Sequence, residues 1–272
     1  MSELADLLRS RRDRLLPADV GLPATGRRRT QGLRREEVAQ LAGISTTYYT
    51  FLEQGRHVSP SRQVLDALAR ALKLTPAERD HLHALARGSD ASAARPAVET
   101  LVAEVAALVD HLDPHPAYVT GRHWDVLAAN RAARALWTDW PTLPAEDRNL
   151  LWWTFADPIA RSVLVDWEQE ARAQLARFRT AAARHPDDPA FAALTERLHA
   201  TSSEVRDWWA HHDVAPLSSG SKRLHHPVLG QLELRHVVLQ VADDPEQKLV
   251  TFTANPTDQV RIANLLAAGA AS

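Results

Sequence analysis

Residues Gly32 to Gly55 constrain this chain more than any other stretch. Val38, Ala39 and Leu41 mark one short apolar helix, and Ile44, Tyr49 and Leu52 continue the apolar set beyond Gly43. Ala39 is small enough to let a second helix cross closely. Glycine at position 43 supplies the backbone conformation that ends a helix abruptly, and Ser45 stands where a cap for the next helix belongs. Two short helices joined this way form a helix-turn-helix, whose second helix enters the DNA major groove. An ordinary helical hairpin would share the apolar spacing. Pro60-Ser61 and the amphipathic stretch 61–72 behind the motif weigh against that plainer reading.

The chain has 272 residues, enough for two domains. It has no cysteine, which excludes disulfides, thiolate metal sites and cysteine nucleophiles. No apolar run approaches the ~20 residues of a membrane span. The start, Met1-Ser2-Glu3-Leu4, reads as a charged amphipathic helix rather than a signal peptide. A cytoplasmic protein without membrane contact is expected. The net charge of −2 hides an asymmetry. Residues 1–88 carry 15 Lys and Arg against 10 Asp and Glu, a net of +5, and the remainder carries −7. The first third therefore attracts phosphates. Its basic character peaks at Arg9, Arg11, Arg12, Arg14, Arg27, Arg28, Arg29, Arg34 and Arg35, beside the motif. A solvated face is the alternative reading of such a run.

Periodicity organises the rest. A first helix is expected over 3–16, then a glycine- and proline-rich loop to 32 and the two motif helices. Two more follow, one from Val64 to Leu72 and one from Pro76 to Leu85, the latter capped by Thr75 with Glu78 three residues on. These five helices make a DNA-binding domain over residues 1–88, and 89–97 reads as a linker. A second domain spans 98–272. It opens with a helix over 98–112, strands over 116–120 and 124–128, and a helix over 130–136. Two longer helices, 157–183 and 189–212, come next. Period-two strands at 222–226, 231–241 and 249–253 and a helix over 257–267 close the chain. The fold class is mainly α, then α+β, with several helices against an antiparallel sheet.

The motif resembles the Xre/Cro helix-turn-helix, down to Leu52-Glu53-Gln54-Gly55 closing the recognition helix. Further strings resemble the MmyB-like transcription regulators: Gly121-Arg122 with Asp125-Val126-Leu127-Ala128 and Asn130, Arg148-Asn149-Leu150, Asp157-Pro158, Asp166-Trp167 and His185-Pro186-Asp187-Asp188-Pro189. Trp209 to Val214 and Lys222 to Gly230 complete the match, which covers nearly the entire chain. The resemblance implies a bacterial transcription factor with a PAS-like second domain suited to a fatty-acid-like ligand. Two positions depart from it. Phe51 stands where arginine is common, and Ala129 where tryptophan is frequent.

For DNA, exposed residues early in the second motif helix face base edges. These are Thr46, Thr47 and Thr50, with Phe51 near the end. Threonine hydroxyls meet several bases, and threonine methyls pack on thymine. Tyr49 and Leu52 point inward, while Tyr48 is expected to be exposed with its hydroxyl on a phosphate. Arg34, Arg35, Arg56 and His57, with Arg28 and Arg29 in the loop, are the phosphate candidates. Simple surface exposure is the plainer account of each threonine.

All eight tryptophans lie in the second domain. Most are expected in its core, although ligand pockets are lined by such residues. Following the family strings, Arg122, Arg148, Asn149 and His212 are the candidates for an acidic head group, and Leu136, Trp137, Leu150 and Trp209 for an apolar tail. An arginine fork matches a carboxylate. Asn149 as a helix cap and His212 bonded to a carbonyl are the competing readings. The pairs His211-His212 and His225-His226 diverge on a helix or a strand, so no metal site is expected. No catalytic constellation and no cofactor are expected.

The reading is a one-component regulator that binds a double-stranded DNA operator as a homodimer and responds to a small amphipathic ligand. A second domain that serves only a protein partner or dimerisation is the alternative. An enzyme with a DNA-targeting module is a third.

Overall fold

The computed structural model describes residues 3–23, 32–56, 58–87 and 99–269. Arg27, Arg28, Arg29, His57 and the expected linker over 89–97 lie outside the described residues. The chain divides into two compact units. The first comprises Met1–Ser92, Arg179–Asp187 and Asp207–Pro216, and the second the remainder. The unit that carries the helix-turn-helix is thus assembled from three separate stretches, whereas the sequence suggested one continuous domain.

Five helices build the first stretch: α1 (Glu3–Arg14), α2 (Arg35–Ala42), α3 (Thr46–Glu53), α4 (Arg62–Ala71) and α5 (Pro76–Arg87). Their core gathers Leu7, Leu8, Leu33, Val38, Tyr49, Leu52, Leu68 and Leu82. Leu41, expected on the apolar face, is 36% exposed instead. Gly43 ends α2 at φ 66°, and the Ile44 N–H bonds the Ala39 carbonyl at 3.0 Å. This is the left-handed stop that a side chain would penalise. Ser45 accepts from the Tyr48 N–H at 3.1 Å, which caps α3. Thr75 and Glu78 exchange bonds of 2.7 and 3.3 Å at the start of α5, a capping box. Gly32 lies against α1 so closely that a Cβ there would come within 2.5 Å of the Asp13 Cα.

The later elements are α6 (Ala103–His111), β1 (Ala117–Thr120), β2 (Val126–Ala129), α7 (Arg131–Leu136), α8 (Leu150–Ala156), α9 (Pro158–Val163), α10 (Trp167–Ala182), α11 (Pro189–Thr201) and α12 (Ser203–Trp209). Three strands, β3 (Gly220–His226), β4 (Gly230–Gln240) and β5 (Lys248–Ala254), and a last helix, α13 (Pro256–Gly269), complete the chain. All five strands join one antiparallel sheet in the order β2-β1-β5-β4-β3. Register decides its two faces. Val119 pairs with Leu249 and Leu249 with Leu239, so these three share one face. Val109 of α6 packs on Val119 and Leu249 there, while Leu239 and Val237 stay about half exposed. The opposite face carries Tyr118, Phe252, Leu234 and Leu224, all buried. Trp137 closes over it, 6.1 Å from Tyr118 and 4.8 Å from Phe252 between ring centroids.

Three expected elements differ. The helix read over 157–183 is two, because Leu164 and Val165 leave the helical path to pair with β3 at Leu224 and Arg223. The helix read over 189–212 breaks at Ser202, whose hydroxyl takes the Val205 N–H at 3.3 Å and starts α12. Trp124 does not belong to β2. It sits at φ 73° in a turn closed by its N–H on the Gly121 carbonyl at 3.2 Å.

Candidate DNA interface and ligand cavity

Thr46 and Thr47 stand exposed on the first turn of α3. Thr50 is half-buried, and its hydroxyl donates to the Thr46 carbonyl at 2.8 Å. Phe51 is half-buried beneath the Arg56 guanidinium, 4.5 Å from its ring centroid. Tyr49 and Leu52 are buried as expected. Tyr48 is not the exposed residue that the sequence suggested, because its ring packs half-buried against the helical core. Arg34 is exposed, caps α2 through its backbone and lies 3.5 Å from Glu36.

Glu53, which sequence reasoning passed over, organises the basic side of this surface. Its side chain is fully buried. The carboxylate accepts from Arg12 at 3.1 and 2.8 Å and from Arg35 at 3.2 and 3.3 Å, and Arg9 lies at 3.6 Å. Burial alone would raise the Glu53 carboxyl. The bonds from Arg12 and Arg35 outweigh it and hold the group below its ordinary value. Arg35, nearly half exposed, therefore sits beside the recognition helix in a fixed orientation.

The arginine run of α1 is not a phosphate-facing row. Arg12 is buried on Glu53, and Arg11 is buried on Glu78 at 2.8 Å. Arg11 also donates to the His211 and His212 carbonyls at 3.3 and 2.6 Å, and Arg14 pairs with Asp213 at 3.0 Å. These acceptors belong to the third stretch of the first unit. Arg179 completes the cluster: 3.5 Å from Glu3, 2.7 Å from the His212 Nδ1, and stacked 4.0 Å over Trp209. Burial lowers Arg179 to about 10. Burial first, then Arg179 and Arg11, depress His81 to about 3. Burial and then Arg179 bring His212 to about 4.

In the second unit, thirteen residues line a cavity of about 50 Å³ against the buried sheet face. Tyr118, Trp124, Leu150, Leu217, Val238 and Val250 give it apolar walls. Thr120, Gln174, Arg177, Lys222, His236 and Lys248 add polar and cationic ones. Lys222 pairs with Glu170 at 2.6 Å, Lys248 donates to the Glu246 carbonyl at 2.9 Å, and Arg177 reaches the Ser218 hydroxyl at 3.2 Å. The His236 Nε2 bonds the Ser218 carbonyl at 3.2 Å, so that nitrogen carries the hydrogen. Burial first, then Lys222, lowers the pKa of this ring and favours its neutral form. Two buried polar atoms here have no partner: the Trp124 Nε1 and the His236 Nδ1. A wider surface groove of about 400 Å³ lies between α7 and α13, and its cations, like those of the cavity, are engaged. Arg131 donates to the Leu266 carbonyl at 2.7 Å, and Arg134 lies 3.4 Å from Asp139.

Of the eight residues proposed for the ligand, only Leu150 lines the cavity. Arg122 is buried between Glu99 and Asp188, the latter at 3.3 Å, so the protein itself supplies its carboxylates. Arg148 pins a turn through the Leu143 and Pro141 carbonyls, both at 2.9 Å. Asn149 caps α8 through the Leu151 and Trp152 N–H groups, both at 3.0 Å. Leu136 and Trp137 are core. Trp209 and His212 belong to the first unit. The residues that do line this cavity carried a signal in the sequence. Lys222, His236 and Lys248 occupy inward positions of alternating strands, where charged residues are rarely buried without a reason.

Among the described residues, no group of three or more acidic or histidine side chains could hold a metal, and no helix is long and apolar enough to cross a membrane. Helices α2 and α3, joined through the left-handed Gly43 and the Ser45 cap, form a helix-turn-helix. A helix-turn-helix domain family matches residues 3–82. The MmyB-like transcription regulator ligand binding domain matches residues 101–266, more than half the chain, and the chain belongs to that family of DNA-binding regulators. No curated protein matches it.

Proposed function

We infer that this regulator is a cytoplasmic homodimer that reads an operator with α3 and senses a small amphipathic acid, such as a fatty acid, in a PAS-like second unit. The cavity against the sheet carries the sensing half of this reading. It joins six apolar side chains to three cations. A cavity of about 50 Å³ is the size of such an acid's head group and first carbons. Thr46 and Thr47 carry base contact, Arg35 carries phosphate contact, and two copies meet half-sites about one helical turn apart.

Octanoate titrated into the full-length protein should raise its Tm and quench tryptophan fluorescence. At a hundredfold excess over Kd the expected stabilisation is about 2.7 kcal/mol. On DNA, Arg35→Ala should weaken binding to every duplex and flatten the salt slope by about one unit, while Thr47→Ala should relax sequence preference. Footprints unchanged in both variants would remove α3 from the interface. The half-exposed Val237 and Leu239 favour one second reading, a protein partner on the open sheet face. An absent response to octanoate would support it.

A further inference from the structure

The geometry points to a hydroxylated carboxylic acid as the cavity's ligand, with Trp124 donating to its carboxylate and His236 accepting from its hydroxyl. This inference rests on the sensing reading above and sharpens it.

Trp124 is 6% exposed and lines the cavity, and its indole N–H has no acceptor. A buried indole N–H ordinarily finds one. The residue also sits at φ 73°, a conformation that bulky side chains avoid. Such strain persists only where the surroundings enforce it, and it concentrates at ligand clamps. Here the enforcement is visible. The Trp124 N–H bonds the Gly121 carbonyl at 3.2 Å, and its own carbonyl takes the Leu150 N–H at 2.9 Å, at the start of α8.

His236 supplies the complementary atom. With its Nε2 hydrogen committed to the Ser218 carbonyl, the neutral ring presents the Nδ1 lone pair, which no donor meets. Two residues that line a space for roughly three to five water-sized groups thus each carry a buried polar atom without a partner, one a donor and one an acceptor. Arg177, Lys222 and Lys248 surround it, with Glu170 paired to Lys222. A plain carboxylate answers the cations and the indole but gives His236 nothing, because a carboxylate has no hydrogen to donate. A hydroxyl near the carboxylate answers His236 while the carboxylate answers the indole.

The test is calorimetric titration of the full-length protein with octanoate, 2-hydroxyoctanoate and 3-hydroxyoctanoate. One hydroxy acid should bind about tenfold more tightly than octanoate. Trp124→Phe should weaken all three acids about tenfold. In His236→Phe the ratio of hydroxy-acid to octanoate affinity should fall to about one, whatever the change in octanoate affinity itself. That lost preference is a change that mere structural damage would not produce, and it decides the matter if Trp124→Phe fails to fold. Equal affinity for all three acids, or a preference retained in His236→Phe, overturns the inference while octanoate binding upholds the sensing reading. Failure of every acid to bind overturns both.

Discussion

At the scale of single residues, Glu53 shows how charge serves this protein. Arginines beside a DNA-reading motif invite assignment to phosphate, and the sequence makes their charge plain. It does not show their partners, because Arg12 and Glu53 meet across 41 positions of chain. A buried carboxylate shared by two guanidinium groups is costly to break, since removing it strands the charges left behind. Glu53→Gln should therefore destabilise the protein by about 3 kcal/mol, discounted from the fully buried range because Arg35 is partly solvated. Thermal unfolding followed by circular dichroism checks this. A Tm within about 2 °C of wild type would show that Arg12 and Arg35 need no anchor. The same logic separates Arg122 from a ligand role. A buried arginine demands a carboxylate, and Asp188 and Glu99 already provide it.

At the scale of elements, what the sequence announced and what it concealed differ by mechanism. Caps and periods are local, so Ser45, Thr75 with Glu78 and the alternation of β3 to β5 could be read directly. The breaks at Leu164 and Ser202 carry no glycine or proline. Leu164 is drawn out of the helix by pairing with Leu224, and pairing across the fold has no local signature. Helix α8 was legible only as the alternative reading of Asn149 as a cap, because Trp152, Trp153 and Phe155 favour strands and the cap overrides them. That cap is Asn149, 3% exposed, whose amide also donates to the His123 carbonyl at 2.7 Å and to Asp125 at 2.9 Å. Asn149→Ala should cost about 2 kcal/mol of stability. Urea unfolding measures the loss, and octanoate affinity in the folded variant should stay near wild type. A variant of full stability with weakened acid binding would return Asn149 to the ligand site.

At the scale of the whole molecule, the first unit contains a buried histidine that acid should attack. His81 is 1% exposed and titrates at about 3 when folded, against an ordinary value near 6.5. Above about pH 6.5 it is neutral in both states and its stabilising share is complete. Below that, the unfolded chain takes the proton first, so stability falls with pH until the folded value is reached. The slope from this one group approaches ~1.4 kcal/mol per pH unit between about pH 6 and 4. Urea midpoints at pH 7, 5.5 and 4.5 should decline accordingly, and His81→Leu should flatten the decline. Parallel profiles for the two proteins would assign the acid sensitivity elsewhere. The composite make-up of this unit was the least legible feature of all, since nothing near α1 announces that its arginines end on carbonyls two hundred positions away. It also bears on how the protein is made. A chain emerging from the ribosome presents its DNA-reading helices long before residues 207–216 exist to receive Arg11 and Arg14. From Glu53 to Asp213 the chain runs about 160 residues, and at ~5–20 residues per second that interval lasts roughly 8–32 s. Throughout it Arg14 lacks Asp213 and Arg11 lacks the His211 and His212 carbonyls, so the unit that carries the reading helices is completed only after residues 93–178 and 188–206 of the second unit have been made, and before β3 to β5 exist.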